Sequence, residues 1–231
     1  MSKIAIILAR GGSKRLPKKN ILEFYEKPLV AWTIEAAIKS NQYEHVLVST
    51  DCKEIAALSI KYGAEVPFLR KESSDDYASS TEATLSALTQ AENYWNMNFD
   101  SVSQLMANCP LRDDGDIKKM MDFFEKSGAP SQISSFKFGW MNPWWAAKLD
   151  KKNKPTQIFN EVLNKRSQDL EELYCPSGAF WIAKTSLLKK YKSFYMPNHI
   201  FCPIHWISAM DIDDANDFEM AKACFLLKNN S

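Results

Sequence analysis

Glycine is scarce in this 231-residue chain, seven in all, and two of the seven stand side by side at Gly11 and Gly12. Histidine is scarcer: His45, His199 and His205 show no metal-ligand spacing. The five cysteines (Cys52, Cys109, Cys175, Cys202, Cys224) contain no C-x-x-C pair, which argues against a zinc knuckle or a disulfide framework. They read as reduced thiols, mostly buried as small apolar residues. No apolar run approaches a membrane span, and the N-terminus lacks a signal peptide's long hydrophobic region, so the expected setting is cytoplasmic, with no membrane partner. Twenty-nine basic against 28 acidic residues give a net charge of +1, and nothing in that balance attracts nucleic acid or anionic lipid in bulk. Internal repeats and low-complexity tracts are missing too.

What charge there is collects in one place. Leu8 to Asn20 reads LARGGSKRLPKKN, with two glycines, one serine and five basic residues in thirteen positions. It follows a short apolar strand candidate, Ile4 to Leu8. Adjacent glycines let backbone N–H groups approach a ligand closely, and Arg10, Lys14, Arg15, Lys18 and Lys19 ring the same turn with positive charge. The loop has neither the ending of a Walker A motif nor the spaced glycines of a dinucleotide fingerprint. Strand, glycine loop and helix in that order is where α/β folds bind phosphate, and a polyphosphate suits this loop better than plain solvent exposure.

The length suits one substantial α/β core, with or without a small appended lobe. Pro28 reads as the first position of a helix carrying Leu29, Trp32 and Ala36 at helical spacing. His45 to Thr50 is a β-branched run fit for a buried parallel strand. Asp51 with Glu54 has capping-box spacing for a second helix that Gly63 closes, and Val66 to Leu69 reads as a third strand. Ser79 and Glu82 repeat that spacing ahead of a helix to about Tyr94, Val102 to Ala107 is a strand, and Asp116 to Lys126 is a helix ended by Gly128. This alternation predicts a mostly parallel sheet covered on both faces.

The rhythm breaks after about Ser131. Ile133 to Phe138 reads as a strand, Gly139 to Trp145 is aromatic, and Lys148 to Glu172 is polar and poorly periodic: a mobile lobe, or an arm to another subunit. Trp140, Trp144 and Trp145 suit a lobe core or subunit contact better than a ligand stack. Order returns with a strand at Ala179 to Ala183, a helix at Thr185 to Tyr191, the stretch Ile204 to Asp213, and a last helix from about Ala215 capped by Asp213 or Asp214.

Met210-Asp211-Ile212-Asp213-Asp214 is the second chemical signal. In extended backbone Asp211 and Asp213 share a face while Ile212 turns inward, and paired carboxylates suit Mg²⁺ shared with substrate phosphates. Asp113, Asp114 and Asp116 instead read as helix-dipole partners. Asp75 and Asp76 read similarly, with Ser79, Ser80 and Thr81 open to a base or ribose contact.

Together these stretches resemble the cytidylyltransferases that make CMP-activated acidic sugars, the acylneuraminate cytidylyltransferase (CMP-sialic acid or CMP-nonulosonate synthetase) family. LARGGSKRLPKKN is similar to that family's N-terminal nucleotide signature. Val48 to Asp51, Gly63 to Arg70, Pro110 to Arg112, Pro176 to Ala179 and Asp211 to Asp213 are similar to its later motifs. The resemblance implies an α/β fold of the nucleotide-diphospho-sugar transferase kind: a mostly parallel central sheet with helices on both faces, in one domain over residues 1–231. It further implies an inserted dimerisation and acceptor lobe at 139–172, a homodimer, CTP and an acidic sugar as substrates, and Mg²⁺. The sugar's anomeric hydroxyl would attack the α-phosphate and release pyrophosphate.

By position, the resemblance gives Arg10, Lys19 and Asp211 to catalysis, and Asp211 with Asp213 to the metal. CTP falls to Leu8, Ala9, Arg10, Gly11, Gly12, Ser13 and Lys14 along the loop, Lys19 and Asn20 at its end, and Arg70, Ser79 and Ser80 near the cytidine. The acceptor falls to Met106, Asn108, Arg166 and Ser177. One departure bears on the sugar: sialic-acid members carry glutamine where this chain has Met106, and a thioether cannot replace that polar contact. A less hydroxylated or differently acylated acid, of legionaminic or pseudaminic type, fits better. A second is Ser177, where asparagine is common. Two alternatives stay open: a CMP-ketodeoxyoctonate synthetase or other sugar nucleotidyltransferase, and a nucleotide-binding regulatory module without turnover.

Overall fold

Strand β1 (Lys3–Leu8) sends Ile4 and Ile6 into one core and Ala5 and Ile7 into another, and all four are fully buried. A strand apolar on both faces belongs in the middle of a sheet covered on both sides, and each of its isoleucines contributes about 1.5–3 kcal/mol by leaving water. A computed structural model, which describes residues 2–70 and 79–229, places β1 there. The further sheet strands are β2 (His45–Ser49), β3 (Ser101–Met106), β4 (Ser131–Lys137), β5 (Tyr174–Lys184) and β6 (Ile200–Pro203). Their order is β6-β4-β5-β3-β1-β2. β1 pairs in parallel with β2 and β3, β6 pairs in parallel with β4, and β5 runs antiparallel between β3 and β4. The sheet is therefore mostly parallel, as expected, with one reversed strand.

Helices α1 (Leu29–Lys39), α2 (Lys53–Lys61) and α4 (Asp114–Ser127) cover one face, burying Val30, Ile34, Ile55, Ile117 and Met120. Helices α3 (Ser80–Trp95) and α5 (Thr185–Tyr191) cover the other with Ala87, Leu88 and Leu188. The short α6 (Trp206–Ala209) and long α7 (Ala215–Asn229) pack Ile207, Phe218 and Ala221 around Phe24 and Ile212 in a third cluster. Among the described residues no helix is long and apolar enough to cross a membrane.

Local chemistry set several boundaries, all but the Asp113–Asp116 box as the sequence predicts. Ser79 and Glu82 form a reciprocal capping box at α3, Asp113 and Asp116 form another at α4, and Gly128 closes α4 in the left-handed region at φ 67°. Asp214 accepts the Asn216 and Asp217 N–H groups while Asp217 accepts the Asp214 N–H, so Asp214 caps α7 and leaves Asp213 for other work.

Other expectations are corrected. Pro28 is the residue before α1, not its first. Asp51 does not cap α2; Cys52 stands at that position without a side-chain bond. Val66 to Leu69 forms no strand: the one bridge beside edge strand β2, Leu47 to Glu65, ends just before it. Asp75 and Asp76 lie outside the described residues.

Between β4 and β5 lie three 3-10 turns and a hairpin of Ala147–Leu149 against Pro155–Gln157. Trp144 packs on Phe159 with ring centres 5.1 Å apart, but Trp140 is 86% exposed, which a lobe core does not explain.

Candidate active site

Leu8 pairs with Ser49 on one side and Met106 on the other, so the carboxyl ends of β1, β2 and β3 finish in one row. The chain steps from β1 out to β2 and then returns across β1 to β3, and such a switch point in an α/β sheet opens a crevice. A cavity of about 480 Å³ lies there, within the range of small-molecule sites.

The basic loop forms its wall. Ala9 is buried and donates its N–H to the Ser49 carbonyl at 3.1 Å. The Asn20 side chain then donates to the Arg10 carbonyl at 2.9 Å, drawing the loop's two ends together. Lys18 takes a left-handed φ of 56°, turning the chain into a 3-10 turn at Lys19–Ile21 that aims Lys19 across the cavity. There Lys19 Nζ donates to Asp213 Oδ1 at 2.9 Å and to the Ile212 carbonyl at 2.8 Å.

The opposite wall is the segment between α6 and α7. Asn108 exchanges backbone and side-chain bonds with Ile212: the Ile212 N–H donates to the Asn108 carbonyl at 2.9 Å, and Asn108 Nδ2 returns a bond at 3.0 Å. Ile212 is fully buried, and Asp213 is met by Lys19 and, at 2.6 Å, by Arg15. Burial pushes the Asp213 carboxyl up, but the Lys19 and Arg15 cations outweigh it and hold it below the ordinary carboxylate range. Asp211 shifts the other way: loss of surrounding water raises it, and the Asp213 charge raises it further. Paired carboxylates in that condition are relieved by a cation, and hard oxygen donors fit Mg²⁺. No cluster of three or more metal-ligating groups occurs among the described residues, so the remaining ligands would be phosphate oxygens and water.

The cavity is closed by Arg70, by Ser79 and Ser80 at the start of α3, and by Met106. The start of a 16-residue helix favours an anion through its dipole. Burial lowers the Arg70 pKa, Asp51 counters that, and Arg10 lowers it further, so three charges sense one another at this corner.

Of the residues marked from the sequence, the structure brings twelve to the cavity: Leu8, Arg10, Ser13, Lys14, Lys19, Asn20, Arg70, Ser79, Ser80, Met106, Asn108 and Asp213. Ala9 is buried, Gly11 and Gly12 lie in the same loop without lining the cavity, and Asp211 precedes Asp213 outside the lining. Arg166 is not brought to the cavity: it is exposed between β4 and β5 and forms a two-pronged ion pair with Asp169. Ser177 is not brought there either; it is buried, its hydroxyl 3.0 Å from Ser134 Oγ, and it does not line the cavity. Arg15 and Ala83 line the cavity without having been assigned to it. Arg15 was legible as part of the basic run, whereas only the fold brings Ala83 near. Arg112, from the Pro110 to Arg112 motif, is buried and serves the frame, donating to the Ala179 carbonyl and to Thr33 Oγ1.

A family model described as cytidylyltransferase matches residues 4–200. A pseudaminic acid cytidylyltransferase of Campylobacter jejuni is 35% identical over 100% of this chain and 99% of its own. A CMP-N,N'-diacetyllegionaminic acid synthase of Legionella pneumophila is 33% identical over 95% of this chain and 94% of its own. Among solved structures, a CMP:2-keto-3-deoxy-manno-octonic acid synthetase complexed with CTP superposes with a TM-score of 0.71 at 14% identity, covering 99% of this chain and 100% of that one.

Proposed function

The chain belongs to the cytidylyltransferase family, and from that premise we propose that it transfers CMP from CTP to the anomeric hydroxyl of a nonulosonic acid. One observation carries this reading. The glycine loop, Lys19, Arg70 and the α3 N-terminus face a single cavity closed on its far side by Asp213.

Arg10, Lys14 and Lys19 hold the triphosphate, and Arg70, Ser79 and Ser80 flank the nucleoside. The acceptor's hydroxyl oxygen bonds to the α-phosphorus as the bond to the β-phosphate's bridging oxygen breaks. Pyrophosphate leaves, and the hydroxyl proton passes to solvent. Cations fixed around the phosphates stabilise the charge that shifts to the leaving oxygen. Asp211 and Asp213 would hold Mg²⁺, which when bound supplies further neutralisation of the triphosphate and lowers the hydroxyl's pKa.

Met106 marks the acceptor's end. A thioether there suits an apolar or acylated part of a sugar better than a hydroxyl, which favours pseudaminic- or legionaminic-type acids and accords with the names of the relatives. We also propose a homodimer joined through residues 139–172, where Trp140, Met141 and Leu149 are 86%, 62% and 64% exposed. A cytoplasmic setting accords with five free cysteines.

The test is pyrophosphate release from CTP and Mg²⁺ with a panel of eight- and nine-carbon ulosonic acids. Release is expected with pseudaminic- or legionaminic-type acids above N-acetylneuraminate and ketodeoxyoctonate. CTP binding without release from any member would overturn the catalytic reading in favour of a regulatory module.

A further inference from the structure

Asp51 stands just past the carboxyl end of β2, and no step above uses it. Its Oδ1 accepts the Gly11 N–H at 2.8 Å, a bond that spans 40 residues of sequence and ties the glycine loop to the sheet. The approach is close: a Cβ on Gly11 would lie 3.0 Å from Cys52 Cβ and 3.7 Å from Asp51 Oδ1. Gly12 differs, with nothing within 4 Å of its missing Cβ, so the contact made at Gly11 fixes how the pair sits.

The residue before Asp51 extends the same clamp. The Thr50 carbonyl accepts the Arg70 N–H at 2.7 Å, and the Thr50 hydroxyl accepts the Cys52 N–H at 3.1 Å. The corner Thr50–Cys52 thus grips the glycine loop on one side and the backbone of Arg70 on the other. Asp213, by contrast, is the one carboxylate lining the cavity among the described residues, and Lys19 and Arg15 already engage it.

We infer that Asp51 is a positioning residue of the nucleotidyl-transfer site: its carboxylate holds the glycine loop, through Gly11, in the shape that receives the triphosphate. This rests on the cavity being the CTP site. A loop fixed before the substrate arrives spares the ordering cost of binding, so the effect falls on the nucleotide and not on the acceptor.

The test compares the full-length protein with Asp51→Ala and Asp51→Asn. Alanine removes the acceptor atom; asparagine keeps an oxygen in the same place. Hydrogen exchange at the Gly11 N–H without nucleotide reads the bond, and KM for CTP, KM for acceptor and kcat read its use. For Asp51→Ala, Gly11 should exchange roughly 10-fold faster and KM for CTP should rise roughly 10-fold, the scale of one charge-assisted hydrogen bond. KM for the acceptor should stay within about twofold, and Asp51→Asn should keep both Gly11 protection and KM for CTP within about threefold. A merely structural residue would lower thermal stability without separating the two KM values. Wild-type KM for CTP in Asp51→Ala, or equal damage in both variants, would overturn the inference. If the wild-type protein bound no CTP, the nucleotide reading would fall instead, while Gly11 exchange would still decide whether Asp51 holds the loop.

Discussion

Gly178 and Met106 touch in a way that makes their coupling calculable. A methyl group at 178 would stand 2.8 Å from Met106 Cγ and 3.4 Å from its Cβ, whereas carbon atoms in contact sit about 3.5–4.0 Å apart. Gly178→Ala must therefore displace the Met106 side chain by roughly 1 Å, toward the cavity that Met106 lines. Gly178 is not among the positive-φ glycines, so the backbone accepts alanine, which by itself would contribute about 0.5–1 kcal/mol in a strand interior. Overpacking of this kind costs about 1–3 kcal/mol, leaving a net loss of about 0–2.5 kcal/mol.

Shortening Met106 to alanine removes Cγ, and in that background Gly178→Ala should be neutral or slightly stabilising. The expected coupling in the four-variant cycle is about 1–3 kcal/mol, measured by urea unfolding. In the assay, Gly178→Ala should raise KM for the acceptor roughly 10-fold and leave KM for CTP within about twofold. Two single changes that add within about 0.5 kcal/mol, or a shift in KM for CTP alone, would refute the reasoning.

Asp211→Ala should lower turnover at least about 100-fold with the melting temperature kept or raised, because a carboxylate repelled by Asp213 is lost. Near-normal pyrophosphate release would dismiss its metal role. Met106→Gln should move the ratio of kcat/KM values roughly 10-fold toward N-acetylneuraminate, and an unchanged ratio would place Met106 outside the sugar pocket. A thiol reagent at pH 8, read by mass, should label the half-buried Cys52 and Cys175 first. Cys109 and Cys202, whose thiols burial pushes up to about 12 and about 11, should stay unlabelled until the protein unfolds. Rapid native labelling of Cys109 would contradict its burial.

The fold was legible wherever neighbours in sequence decide it. Ser79 and Glu82 satisfy each other within one turn, so spacing alone located that helix start. Asp113 and Asp116, read only as dipole partners of a helix from Asp116, instead form a capping box that starts α4 at Asp114. Asp51 had the same spacing to Glu54, yet its carboxylate went to Gly11, a partner that only the closed sheet supplies. Val66 to Leu69 looked like a strand because apolar runs do, but the one bridge beside edge strand β2 is made by Glu65, just ahead of that segment. The site's two poles, the basic loop and Asp213, were visible as composition. The hand of β5 was not, since a buried apolar run reads alike in either direction.

That reversed strand has a mechanical meaning. β5 begins at Tyr174, beside Lys137 at the edge of the 139–172 segment, meets Met106 at Gly178, crosses the core through Ala183, and ends exposed at Lys184. Extended chain advances about 3.3 Å per residue, so Tyr174 and Gly178 lie roughly 13 Å apart along a strand whose register against β4 shifts between the Pro176 and Trp181 pairings. A displacement of the outer segment therefore reaches Gly178, on which Met106 rests, through an irregular stretch of strand that absorbs part of it.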